Sequence, residues 1–168
     1  MTNAIDRRGS AVVTLPSDRE IVITRQFDAP ASLIFQAHTT PDLVKRWWGF
    51  ETSEWLVCEI DLRVGGRWRY MTREAEGFEV AFHGEFREID PPGRLVYTEV
   101  YEGFEDGDPE AAAALNTITL EERDGVTTMT AVAVYAEKAH RDMVIASGME
   151  EGMQVSLDRL EAVAKGLR

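Results

Sequence analysis

One long segment near the C-terminus restricts the folds open to this chain more than any other feature. Residues 138–167 form the one extended stretch with helical periodicity, and their apolar positions approximate a single stripe. From residue 53 to this segment, the sequence is typical of strands. An antiparallel sheet must bury one face, and this segment is the only long helix available to cover it. The stripe consists of Ile145, Met149, Met153, Leu160, Val163 and Leu167, with Ser156 between them.

The strand and helix signals follow a simple order along the chain. Residues 1–17 form an N-terminal arm with an accessory strand near 10–15, and residues 19–27 alternate apolar and polar side chains as a first strand does. Two short helices follow, each with a proline near its start, Pro30 and Pro41. Further strands are predicted over residues 53–62, 67–74, 78–89, 94–101, 115–122 and 126–135.

This order predicts one α+β domain over residues 18–168, with a helix-grip arrangement. A curved antiparallel sheet of about seven strands would wrap around the C-terminal helix and enclose space that side chains do not fill. Gly148 and Gly152 are four residues apart and would share one helix face, although each interior glycine costs roughly 1 kcal/mol relative to alanine. They either let the helix approach the sheet closely or leave room for something held between the two.

Composition argues against several classes of protein. The net charge of −12 disfavours nucleic acid and anionic membrane surfaces as partners, because both need clustered Lys and Arg. No apolar run is long enough to span a membrane, and the N-terminus lacks the apolar core of a secretory signal. Cys58 is the one cysteine, so no internal disulfide can form. We therefore expect a cytoplasmic protein.

No motif for a metal or an organic cofactor is present in the sequence. His38, His83 and His140 are too scattered to predict a metal site, and Cys58 has no evident base to make its thiolate. Glycine-rich phosphate loops, nucleophile elbows and zinc-helix motifs are absent. The acidic loop over residues 102–114 lacks the spacing of a calcium-binding loop. We predict no metal and no cofactor, and catalytic residues stay unassigned.

Four segments in sequence order resemble a known family. They are RQFDAPASLIFQAHTTPDLVKRWWG, DLRVGGRWRY, HGEFREIDPPGRLVYTE and GMEEGMQVSLDRLEAVAK. Together they are similar to the START-like (SRPBCC) superfamily, in the branch named for homology to the C-terminal domain of the activator of heat-shock-protein-90 ATPase. The resemblance implies a helix-grip fold around a hydrophobic cavity, in proteins that bind or transform small apolar molecules or act as cochaperones. Met153 stands where the family often has tryptophan, which suggests a different cavity.

Aromatic side chains on the predicted strands supply the candidate site. Trp68 and Tyr70 are two residues apart and share one face of a strand, as do Tyr97 and Glu99 on another. Buried Trp and Tyr bring polar tips that need partners, and several such tips in one apolar space are typical of a ligand pocket. His83 could face the same space from its strand. The predicted ligand-binding residues are Trp48, Trp68, Tyr70, His83, Tyr97, Glu99, Met149 and Met153.

Three functions stay open from the sequence. The aromatic lining favours binding of a small apolar, lipid-like molecule. Pocket Tyr, His or Glu residues could instead serve an enzyme of cyclase, dehydratase or hydrolase type. A cochaperone-like interaction protein is suggested by the family name alone, and we expect no chaperone partner because no other domain accompanies the one that resembles the activator. The sequence leaves a homodimer open.

Overall fold

Eight strands form one curved antiparallel sheet in the structure, a computed structural model that describes residues 5–103 and 109–168. Two short helices follow the second strand, and two more close the chain. The elements are β1 (Val12–Thr14), β2 (Glu20–Phe27), α1 (Ala31–Thr39), α2 (Pro41–Trp47), β3 (Glu54–Ile60), β4 (Arg67–Arg73), β5 (Glu79–Asp90), β6 (Arg94–Tyr101), β7 (Ala114–Arg123), β8 (Val126–Val134), α3 (Lys138–Ala146) and α4 (Met149–Gly166), with a 3-10 turn at Pro109–Ala112.

The strand order across the sheet is β1-β2-β8-β7-β6-β5-β4-β3, and every neighbouring pair is antiparallel. The first long strand, β2, therefore pairs with the last, β8, and the strands from β3 to β8 follow as a meander. The sheet has eight strands rather than about seven, because β1 in the N-terminal arm pairs with β2 along its full length. The predicted acidic loop lies partly outside the described residues, at 104–108.

The C-terminal segment is not one continuous helix, so that part of the prediction is wrong. Gly148 has a φ of 78°, in the left-handed region, and is the cap residue at which α4 begins. An L-residue rarely adopts this conformation, and it interrupts the helical hydrogen bonding between α3 and α4. Gly152 does lie inside α4. A Cβ built there would be 3.7 Å from the ring of Phe50, an ordinary van der Waals contact.

The core lies between the concave face of the sheet and the helices α1, α2 and α4. From Leu157 onward α4 packs against the sheet: Leu157, Leu160, Val163 and Ala164 are all buried. They share one apolar cluster with strand residues such as Phe27. The helix therefore covers the sheet, as predicted, but its first two turns contain no buried residue. Unfilled space is to be expected under those turns.

Candidate ligand-binding site

A cavity of about 170 Å³ lies under the first half of α4, bordered by the sheet and by α1 and α2 and partly open to solvent. Its lining is mainly aromatic and aliphatic. The lining residues are Ile23, His38, Trp47, Trp48, Trp68, Tyr70, Phe86, Leu95, Tyr97, Glu99, Ile118, Met129, Ala131, Met153 and Leu157. A larger depression at the ends of β3 and β4 is lined mainly by charged side chains and is wide open to water, so it does not enclose a ligand.

Strand alternation aims four of the predicted side chains into this cavity. Trp68 and Tyr70 project from β4, and Tyr97 and Glu99 project from β6. The ring of Trp68 lies 4.7 Å from that of Tyr70 and 5.7 Å from that of Tyr97, measured between centroids. The contact with Tyr97 is nearly perpendicular, a favourable geometry for aromatic pairs. These rings form a continuous aromatic wall.

Gly84 makes the position of Trp68 possible. The two residues are opposite each other in the β4–β5 ladder, and the Trp68 indole N–H donates to the carbonyl of Thr98 at 3.1 Å. A Cβ on residue 84 would lie 1.7 Å from that carbonyl oxygen and 2.5 Å from the indole nitrogen. No side chain fits there. The missing side chain at residue 84 therefore lets the indole N–H of the buried Trp68 reach its acceptor, the Thr98 carbonyl.

The paired tryptophans at the end of α2 have different environments. Trp47 is buried, and its indole N–H donates to the carbonyl of Ala37 at 2.9 Å. Trp48 is partly exposed and contacts Trp55, Tyr70 and Phe82 at centroid distances of 5.3–5.6 Å. Both line the cavity. Trp48 closes the cavity on the side of α2.

Burial shifts the pKa values of three ionisable groups on the sheet. Burial raises the pKa of Glu99, an effect that the hydrogen bond from the side-chain amide of Asn116 at 3.3 Å only partly opposes. Burial also raises the pKa of Tyr70 and of Tyr97, and the nearby Glu99 carboxyl adds to both shifts. The hydroxyls of Tyr70 and Tyr97 make no hydrogen bond to any part of the chain that the structure describes. They therefore remain available to a ligand.

His38 is a cavity residue that the sequence did not identify. Its Nδ1 lies 2.9 Å from the carbonyl of Ile34, so Nδ1 carries the proton and donates it. Burial lowers the pKa of the imidazole, which therefore stays neutral with Nε2 as an acceptor. The available signal was helical spacing: Ile34 and His38 are four residues apart, so His38 shares the buried face of α1.

His83 does not lie in the cavity, and this part of the predicted site is corrected. Phe82 and Phe86 on the same strand face inward, so His83 projects from the opposite face of the sheet. There its Nδ1 contacts Glu102 at 2.9 Å and its Nε2 contacts Glu110 at 2.6 Å. Met149 is also outside the lining, because it lies in the first turn of α4, next to the break at residue 148. The predicted residues that line the cavity are Trp48, Trp68, Tyr70, Tyr97, Glu99 and Met153.

Within residues 5–103 and 109–168, no three His, Cys, Asp or Glu side chains lie close enough together to hold a metal ion. None of the helices in the same ranges is both long and apolar enough to cross a bilayer.

The C-terminal helix, the curved sheet and the cavity between them define a START-like α+β protein. The family described as "Activator of Hsp90 ATPase homolog 1-like protein" matches residues 28–165, and the chain belongs to this family. This confirms the resemblance inferred from the sequence motifs.

Solved structures agree with the fold. A crystal structure from Rhodobacter sphaeroides has a TM-score of 0.83 at 24% identity, covering 93% of this chain and 99% of that one. A crystal structure from Mycobacterium smegmatis has a TM-score of 0.78 at 27% identity, covering 91% and 96%. One from Nitrosomonas europaea has a TM-score of 0.78 at 24% identity, covering 90% and 97%. A search of curated proteins gives no match.

Proposed function

We propose that this protein binds a small, largely apolar molecule in the cavity between the sheet and α4. The observation that carries this proposal is the lining itself. Aromatic and aliphatic walls surround a few polar groups, and the hydroxyls of Tyr70 and Tyr97 have no partner within the described residues. Buried polar groups in a closed core are normally hydrogen-bonded. Unpaired hydroxyls beside empty space are typical of a pocket that a ligand completes.

The size of the cavity limits the ligand. A dry apolar cavity of about 150 Å³ in another protein holds one benzene molecule. A cavity of about 170 Å³ therefore suits a single ring with a short substituent. Pockets for drug-sized ligands span roughly 300–1,000 Å³. A larger molecule would require the first turns of α4 to move, and these are the turns without buried residues.

Filling the cavity tests this proposal. Met153 lines the space from α4, so Met153→Trp should occupy it with an indole while the protein stays folded. Val155→Trp is the matched control, because it adds the same side chain to the same helix at a position that is 47% exposed. The probe is benzyl alcohol, titrated into labelled protein and followed by the indole N–H signals in a ¹H–¹⁵N correlation spectrum.

We expect saturable shifts of the Trp48 and Trp68 signals in the wild type and in Val155→Trp, and none in Met153→Trp. Equal binding by a folded Met153→Trp variant would show that the ligand lies elsewhere. Absence of any saturable shift in the wild type, with benzyl alcohol and with toluene, would refute the proposal.

Glu99 supports a second candidate function, an enzyme that transforms a small molecule. A carboxyl group whose pKa is raised by burial can act as a general acid near neutral pH. In that case Glu99→Gln would abolish turnover of a cavity ligand while its binding persisted. A cochaperone-like role rests on the description of the family alone, because fold does not determine function.

A further inference from the structure

The fixed polar groups of the cavity are mostly hydrogen-bond acceptors. Asn116 donates to Oε2 of Glu99, and Oε1 has no hydrogen-bond partner among the described residues. His38 uses its proton on the carbonyl of Ile34, which leaves Nε2 as an acceptor. The Tyr70 and Tyr97 hydroxyls can rotate to accept or to donate. A ligand that brings several N–H donors would satisfy this set.

The charges in the lining also favour a ligand that carries N–H donors. The fifteen lining residues include one carboxyl group and no lysine or arginine. Tyr70 and Tyr97 lie near enough to Glu99 for its charge to raise their pKa values, and their rings contact those of Trp48 and Trp68. The faces of aromatic rings carry negative potential and attract cations. The protein as a whole has a net charge of −12, which raises the local concentration of cations around it.

Deepening the proposed binding function, on which this step rests, we infer that the cavity selects a small organic cation: a primary ammonium group joined to one compact ring. The ammonium would donate to Glu99 Oε1 and lie against the aromatic wall, while the ring fills the apolar end. An isolated buried carboxylate is costly, but an ammonium in contact compensates that charge and adds hydrogen bonds. An anionic ligand would find no cationic partner in the lining.

Binding of an amine in the cavity should depend on pH. Burial raises the pKa of Glu99, so protonation of its carboxyl competes with amine binding up to a higher pH than it would at an exposed glutamate. The other titratable groups around it are Tyr70, Tyr97 and Tyr135, whose pKa values are raised by burial, and His38, whose pKa burial lowers. These groups stay neutral near pH 7, and affinity for an amine should therefore rise with pH through the pKa of Glu99. Affinity for a neutral ligand of the same shape should not.

Three ligands of similar shape and different charge provide the test: benzylamine, benzyl alcohol and benzoate. Each is titrated calorimetrically into the wild type, into Glu99→Gln, and into Glu121→Gln as control. Glu121 is exposed on β7, so its replacement changes the net charge equally without touching the cavity. We expect the wild type and Glu121→Gln to bind benzylamine at least about tenfold more tightly than benzyl alcohol, a difference of roughly 1.4 kcal/mol, and benzoate not at all.

In Glu99→Gln the preference for benzylamine should disappear, and so should the rise of its affinity with pH. Benzyl alcohol binding as tightly as benzylamine in the wild type would overturn the charge inference and leave the proposed function standing. Persistence of the amine preference in Glu99→Gln would also overturn it. Failure of the wild type to bind benzylamine and benzyl alcohol would overturn both.

Discussion

Gly84 and Trp68 face each other across the β4–β5 ladder, and the indole of Trp68 crosses the glycine to reach the carbonyl of Thr98 at 3.1 Å. Residue 84 must be glycine because there is no space for a Cβ between the two strands. Its backbone conformation does not require glycine, since its φ is not in the left-handed region. The cavity wall therefore depends on a residue that has no side chain to contribute.

Gly84→Ala should be strongly destabilising. The added methyl would collide with backbone that is fixed by two strands, and relief would break the Trp68–Thr98 hydrogen bond. Overpacking and the lost buried hydrogen bond together should cost about 3 kcal/mol or more. Urea denaturation measures the loss, with Gly93→Ala as control, since a Cβ there meets only the Leu120 carbonyl oxygen at 3.6 Å. Equal stability of the two variants would contradict this account.

His83 on the outer face joins β5 to the 3-10 turn at Pro109–Ala112. Burial alone lowers the pKa of His83, but the hydrogen bonds to Glu110 and Glu102 outweigh it, and the net pKa lies above the ordinary value. A raised pKa means that the folded state holds the proton more firmly than the unfolded chain. The resulting stabilisation is complete below the unfolded-state pKa of about 6.5 and is lost as pH rises through the folded-state pKa.

Wild type and His83→Gln should therefore differ most in thermal stability at mildly acidic pH. The difference in Tm should shrink as pH rises above about 6.5, because neutral histidine and glutamine then offer similar hydrogen bonds. Differential scanning calorimetry between about pH 5.5 and pH 9 measures it. A difference that is independent of pH would show that the His83 contacts to Glu102 and Glu110 do not depend on its charge.

The two histidines show why single residues are hard to place from a sequence. His83 was predicted to face the cavity, although alternation with Phe82 and Phe86 puts it on the outer face, and only the structure shows that Glu110, 27 residues further on, contacts it there. His38 lies on the buried face of α1, yet a sequence does not reveal that the space beside that face is left unfilled. Which side chains share a cavity depends on packing between distant elements.

At the scale of the elements, the strand boundaries could be predicted because turn residues mark where strands begin and end. Strand β6 has the predicted bounds, Arg94–Tyr101, because prolines and a glycine mark its start, and the other strands differ by one or two residues. The break between α3 and α4 was missed for a physical reason. Ile145 and Met149 continue the apolar stripe across it, so periodicity alone predicts one helix. The left-handed conformation of Gly148, at which α4 begins, leaves no trace in that periodicity.

The two glycines of this region should respond in opposite ways to alanine. Gly148→Ala forces a left-handed conformation on an L-residue, although nothing lies within 4 Å of the added methyl, and should cost about 1–2 kcal/mol. Gly152→Ala adds a methyl in ordinary contact with Phe50 and removes an interior glycine, so it should be neutral or stabilise by up to about 1 kcal/mol. Chemical denaturation of both variants tests this. Destabilisation by Gly152→Ala would mean that α4 packs more tightly there than the structure indicates.

On the scale of the whole molecule, the two halves of α4 have separate roles. The first half borders the cavity, whereas the second is fastened to the sheet through Arg25 on β2. The guanidinium is fully buried, lies 2.8 Å from Asp158 and 3.5 Å from Glu161, and lies over the ring of Phe27 at 4.9 Å. Arg25 does not line the cavity. It therefore anchors the C-terminal part of α4 without filling the space under the first turns of that helix.

Arg25→Met should therefore destabilise the fold without altering the cavity. Removing one partner of a buried ion pair leaves the two α4 carboxylates uncompensated, at a cost of about 3–5 kcal/mol. Adding Asp158→Asn and Glu161→Gln should recover most of that loss, because the amides are neutral and can still accept from the backbone N–H groups of Gly9 and Asp28. The free energy of unfolding in urea measures both steps, and benzyl alcohol affinity of the triple variant should equal that of the wild type. No recovery in the triple variant would show that Arg25 stabilises the fold mainly by packing, and weakened ligand binding would show that the two ends of α4 are coupled.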